Sequence, residues 1–134
     1  MTREIKVKFW NGKKMSQSYE LIDLLYEGVP SILANSNGEL DTNPKKLEKI
    51  ITLEWTGLKD KNGKEIYEGD IVKSSDKEIG VVLWEQESVS YLLSQSDDID
   101  DNHWSDGLLD GEWKIIGDIY ENPELLNNLK TNEL

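Results

Sequence analysis

Cysteine is absent from the 134 residues, which excludes disulfides, thiolate metal sites and cysteine nucleophiles. That absence fits a reducing cytoplasm. Histidine occurs once, as His103, so neither a catalytic triad nor a multi-histidine metal centre can be assembled within one chain. No apolar run approaches the ~20 residues needed to span a bilayer, and the N-terminus lacks the apolar core of a signal peptide. The expectation is a cytoplasmic protein without membrane contact. Phenylalanine also occurs once, so aromatic burial rests on five Trp and five Tyr.

Positive charge is scarce as well. Fifteen basic residues against 27 acidic ones leave a net charge of −12, and the imbalance is local. Residues 1–75 hold 12 basic and 12 acidic side chains, whereas residues 76–112 hold 1 and 11. A field of that sign repels phosphates, so direct nucleic-acid binding is not expected, except through a local patch such as Lys6, Lys8, Lys13 and Lys14. The length fits one domain or two small subdomains, and a hydrophobic fraction of 37% is low but sufficient for a core.

The most densely patterned stretch is Leu53 to Lys73. Ile51, Leu53 and Trp55 alternate with polar neighbours, as in a strand with one buried face. Asp60-Lys61-Asn62-Gly63 should reverse the chain, and Glu68-Gly69-Asp70 makes a second tight corner before Ile71-Val72. Gly57, Gly63, Gly69 and Gly80 have no phosphate-loop spacing and suit turns or close backbone approach. Towards the N-terminus, Ile5, Val7 and Phe9 alternate with lysines ahead of Asn11-Gly12, a two-residue hairpin signal. Residues 21–33 are apolar without a period and fit a short helix or a strand, limited by Gly28 and Pro30. Asn35-Ser36-Asn37-Gly38 reads as a turn, and Asn43-Pro44 as the cap and first residue of a short helix.

Further on, Gly80 to Glu85 and Val89 to Ser94 read as paired strands. The succession from Glu68 to Val82 matches a small barrel of the Src-homology-3 type, closed by a strand over Trp113 to Ile119. Asn122-Pro123-Glu124 should cap a helix whose Leu125, Leu126 and Leu129 dock on that barrel. The fold class expected is therefore mainly β: a small SH3-like barrel with an N-terminal β-hairpin subdomain and short helices, one of them C-terminal. Residues 1–134 form a single domain, with candidate subdomains at 1–50, 51–122 and 123–134.

Trp55-Thr56-Gly57-Leu58-Lys59-Asp60, Asn62-Gly63-Lys64 and Ile66-Tyr67-Glu68-Gly69-Asp70-Ile71-Val72 resemble the signature of the YopX family of phage and prophage proteins. Arg3 to Lys6 with Phe9-Trp10 and Gly12 to Met15 are similar to the family's start, and Ile116 to Leu126 to its end. The resemblance implies a phage or prophage accessory protein with no established biochemical activity. Within the signature, Trp55, Gly57, Asp60, Gly63, Tyr67, Gly69 and Asp70 are expected to serve folding, the alternative being a recognition surface formed by Tyr67, Glu68, Gly69 and Asp70.

The other candidate residues lie in the acidic stretch Ser96 to Asp106. Against a calcium loop starting at Asp98, the residues Asp100, Asn102 and Asp106 match, but His103 stands where glycine is needed and Leu109 where a bidentate Glu should close the shell. No metal and no cofactor is therefore expected. Glu85 and Glu87 share the solvent face of a strand and do not form an acid-base pair. Trp10, Trp55, Trp84 and Trp113 are core candidates, whereas Trp104, flanked by polar residues, is a candidate interface anchor.

The leading expectation is a non-enzymatic protein-interaction or self-assembling module, its partner an unidentified host or phage protein or a second copy. One alternative is an acidic DNA mimic that occupies a host nucleic-acid-binding protein through Asp97, Asp98, Asp100 and Asp101. The other is a metal-dependent hydrolase that joins those acids and His103 to Asp70 or Asp118.

Overall fold

The structure is a computed structural model that describes residues 4–75, 77–86, 90–94, 103–104 and 112–126. The backbone divides into two compact units, Met1–Glu54 and Trp55–Leu134. In the first, strand β1 (Lys6–Trp10) lies between β2 (Tyr19–Glu20) and the start of β3 (Ile51–Lys59), antiparallel to both. The β1 turn is longer than the two residues expected. Trp10 bridges Met15, and Asn11 closes the four-residue loop by accepting the Lys13 and Lys14 N–H groups on Oδ1, at 2.8 and 2.7 Å. That side-chain acceptor substitutes for a backbone turn and holds the wider loop.

Residues 21–33 resolve into helix α1 (Leu21–Tyr26) and a 3-10 turn (Ser31–Leu33). Gly28, at φ +90°, stops the helix after six residues, a backbone conformation that side chains rarely adopt. Helix α2 (Pro44–Leu47) begins as the sequence suggests: Asn43 Oδ1 accepts the Lys45 N–H at 3.0 Å and Pro44 opens the first turn. Between the two, Asn35 Oδ1 accepts from Asn37 and Glu39, forming the expected turn.

The core of the first unit is thin, with Phe9 and Leu53 its buried hydrophobic residues among those described. Phe9 meets Tyr19 with ring centroids 6.1 Å apart. Ile51, expected on the buried face with Leu53, is instead exposed, because it sits at the end of β3, opposite Trp10 at the end of β1.

In the second unit the remainder of β3 pairs with β4 (Glu65–Tyr67), and a five-stranded antiparallel sheet runs in the order β8-β7-β6-β5-β9. Its strands are β5 (Asp70–Lys73), β6 (Ile79–Glu85), β7 (Ser90–Ser94), β8 (His103–Trp104) and β9 (Lys114–Asp118). The mainly β expectation holds, and the Trp113 to Ile119 segment does return beside the strand that follows Gly69, as β9 against β5. Among the described residues the sheet is open, however: β8 and β9 are its two edges, and no pairing between them completes a barrel.

Ile66 from the β3–β4 hairpin packs with Val72, Val82, Leu93 and Trp113 in the core, and Leu58, Tyr91 and Ile115 press on it. Gly80 lets Leu93 lie across it; a Cβ there would meet the Leu93 side chain at 2.7 Å. Trp84, a core candidate by sequence, is 40% exposed because it stands at the turn end of β6 beyond this cluster. It packs edge-on against Tyr91, with centroids 4.9 Å apart, and its indole N–H donates to Gln86.

After β9, residues 124–126 are helical and Leu125 lies against Gly117. Asn122 does not cap this turn with its side chain. Its Oδ1 accepts the Asp118 N–H at 3.2 Å, fastening the end of the strand instead.

Gly69 is where positive φ and close approach coincide. At φ +89° its N–H donates to Val82 O, its carbonyl accepts from Ile119 N, and an added Cβ would lie 2.8 Å from the Tyr120 ring. Gly69→Ala is expected to lower the unfolding free energy by about 2 kcal/mol or more, against about 1 kcal/mol for Gly12→Ala, which has a similar φ but open space around it. Urea denaturation of both variants checks this; equal losses would remove Tyr120 from the explanation.

Candidate functional site

The signature residues of the second unit are engaged in holding the backbone. Gly57, at φ +89°, sits in an irregularity of the β3–β4 ladder between Trp55 and Lys59, where regular pairing fails. The side chains on either side recover the lost hydrogen bonds: Trp55 Nε1 donates to Leu58 O at 2.9 Å, Thr56 Oγ1 donates to Ile66 O at 2.8 Å, and the Leu58 N–H donates to Thr56 Oγ1 at 3.2 Å. At the second corner, buried Asp70 accepts the Tyr67 N–H on Oδ2 at 2.8 Å, a side-chain-closed turn across Glu68 and Gly69. Tyr120 is packed over this corner. Its burial, with Glu68 and Asp118 nearby, raises its phenol above the usual value.

Asp60 carries the first corner. It is buried, Oδ1 accepts the Asn62 and Lys64 N–H groups at 2.9 Å each, and Oδ2 accepts the N–H of Ile115 at 3.0 Å. Lys61 N donates to Trp113 O beside it. Burial pushes the Asp60 carboxyl up, but the donors from Ile115, Lys64 and Asn62, with the Lys64 charge, more than reverse this and hold it below the usual carboxylate value. The link to Ile115, 55 positions away, has no local signal in the sequence.

The first unit presents a different surface. Seven of its described large hydrophobic residues are exposed: Leu21, Val29, Leu40, Leu47 and Ile51, with Ile22 at 58% and Tyr26 at 83%. Ile22 and Tyr26 are four apart on α1 and so share one face, with Leu21 beside them. A hollow of about 250 Å³ lies between the 3-10 turn and α2, lined by Ile32, Leu33, Ala34, Leu47 and Ile50, with Asn11, Asp41, Lys46 and Lys49 also contributing. Asp41 is engaged there: Oδ1 accepts the Asn43 N–H and Oδ2 pairs with Lys46 Nζ, both at 3.0 Å, and these contacts lower its pKa. A second, more polar depression of about 510 Å³ continues from Asn11 and Ile32 past Lys14, Met15 and Tyr19. Exposure of α1 and the two hollows could not be read from the sequence, because periodicity marks apolar faces without saying which are covered.

The acidic candidates Asp97, Asp98, Asp100 and Asp101 lie outside the described residues, as do Glu87, Asn102, Asp106 and Leu109. Trp104 is placed in β8, at one edge of the five-stranded sheet, paired with Leu92. Among the described residues no three His, Asp or Glu side chains are gathered as a cation would require, and no helix is long and apolar enough to cross a membrane.

Two antiparallel sheets with few short helices, and corners locked by buried aspartates and positive-φ glycines, define a small mainly β protein. The chain belongs to the YopX protein family, whose model matches residues 8–127. The crystal structure of protein EF1440 from Enterococcus faecalis is similar, with a TM-score of 0.56 at 24% identity over 91% of this chain and 97% of that one, a likeness of fold. No curated protein matches the chain.

Because the Asp60 pKa is depressed on folding, its contribution to stability is fully present above the unfolded-state value of about 4 and is lost as pH falls through the lower folded-state value. Asp60→Asn puts an amide N–H₂ where backbone donors converge and should cost about 2–3 kcal/mol at pH 7. Its stability should also decline less steeply than wild type below about pH 4. Denaturant titrations between pH 2 and 7 test both; parallel acid limbs would show that another group carries the acid sensitivity.

Proposed function

We propose that this protein is a non-enzymatic interaction module of a phage or prophage that acts in the host cytoplasm through the apolar surface of its N-terminal unit. What supports the reading is the partition of apolar residues. Among the described residues, eight of the ten buried hydrophobic ones belong to Trp55–Leu134, whereas seven of the eight exposed large ones belong to Met1–Glu54. Exposed apolar side chains concentrated in one unit, while the described core is concentrated in the other, favour a place there where another molecule fits. The phage setting rests on the family to which the chain belongs.

Charge supports a second reading as an acidic decoy for a nucleic-acid-binding host protein. Residues 1–54 hold eight basic and eight acidic side chains, so the whole net charge of −12 falls in residues 55–134.

One experiment separates the two. Tagged protein is used to capture partners from host lysate as wild type, as Ile22→Asp with Tyr26→Asp, and with Asp97, Asp98, Asp100 and Asp101 all changed to Asn. Sedimentation velocity on the same samples reports self-association. Replacing exposed Ile22 and Tyr26 should abolish a specific complex, or dissociate an oligomer, while changing stability by about 0.5 kcal/mol or less. Loss only in the Asn variant would transfer the function to the decoy; capture unchanged in both would refute both readings.

A further inference from the structure

We infer that the hollow between the 3-10 turn and α2 recognises an acidic peptide segment of a partner protein, taking one aliphatic side chain inside while flanking carboxylates meet Lys46, Lys49 and Lys14. The inference rests on the reading of the chain as an interaction module and gives that module a site separate from the α1 face.

The size of the hollow sets the scale of what enters it. At about 250 Å³ it falls below the roughly 300–1,000 Å³ of pockets that enclose a whole drug-sized ligand or cofactor. A single branched side chain fits it better. The five residues that supply its apolar wall, Ile32, Leu33, Ala34, Leu47 and Ile50, offer contact and no hydrogen-bonding side chain. The adjoining depression shares Asn11 and Ile32 with it, is more polar and is about twice as large, so a chain anchored in the first can continue along the second.

Charge then selects the flanking residues. The two hollows together are lined by Lys14, Lys46 and Lys49 against the single carboxylate Asp41. That carboxylate is already committed to Asn43 N–H and to Lys46. A basic peptide would therefore find no carboxylate in the lining outside the Asp41–Lys46 pair, whereas an acidic one finds the ammonium groups of Lys14 and Lys49, with Lys46 shared with Asp41. The net charge of the chain does not forbid this. At physiological salt the screening length is about 8 Å, so the lysines at the site govern the approach of a short segment. An extended polyanion such as DNA would need many more phosphate contacts than three lysines provide.

The test is fluorescence anisotropy with a labelled Glu-Glu-Leu-Glu-Glu peptide and the full-length protein. The expected result is saturable binding that weakens about tenfold with Lys49→Glu, weakens similarly when the central Leu of the peptide becomes Ser, and falls as salt is raised. Changing the peptide carries no risk to folding, and Lys49 is exposed. A labelled Lys-Lys-Leu-Lys-Lys peptide should not bind. Absence of saturation at millimolar protein, or binding indifferent to both Lys49→Glu and the Leu-to-Ser change, overturns the site. Such a result beside intact lysate capture through α1 would leave the interaction-module reading standing without it.

Discussion

A single buried carboxylate organises the second unit. Asp60 collects backbone N–H groups from Asn62 and Lys64 in its own turn and from Ile115 at the start of β9. The Asp60 carboxylate is itself buried, and these three part-buried N–H groups satisfy its charge as it satisfies them. Its consequence is topological. Anchoring the β3–β4 turn to the segment around Trp113 and Ile115 brings Trp113 into the core beside Ile66 and Val72, and sets β9 where it can pair with β5.

The remaining signature residues extend that logic. Gly57 breaks the β3–β4 ladder, and Trp55 and Thr56 repair the break with side-chain hydrogen bonds. Gly69 and Asp70 turn the chain into β5 while Val82, Ile119 and Tyr120 close around them. A sequence this specific can look like a reaction site, but its polar groups are occupied by the backbone. Among the described residues, most of the exposed large hydrophobic side chains lie in the first unit, whose short strands and two short helices bury little. The most patterned part of the chain and the part with most of the described exposed apolar side chains are therefore different.

Some elements were legible because their cause is local. Asn43 and Pro44 start α2 through a cap and a fixed φ that belong to those two residues. The reversals at Asp60 to Gly63 and at Glu68 to Asp70 likewise follow from side chains that accept neighbouring N–H groups and glycines at positive φ. Residues 21–33 were not legible, since a six-residue helix and a 3-10 turn are too short to show a period. Ile51 and Trp84 were misplaced because alternation gives the side of a strand on which a residue stands, not whether anything covers that end.

Membership of the family, the mainly β character and the positions of the tight corners were thus determined by the sequence itself, through interactions that span a few residues. Which apolar residues are buried, where Asp60 finds its third donor and how Ile32, Leu33, Leu47 and Ile50 come to line one hollow were decided only in the tertiary structure. The reason is physical. Turns and caps are set by the covalent neighbourhood of a residue, whereas burial and recognition depend on groups brought together from distant positions, and that proximity exists only after the chain has folded.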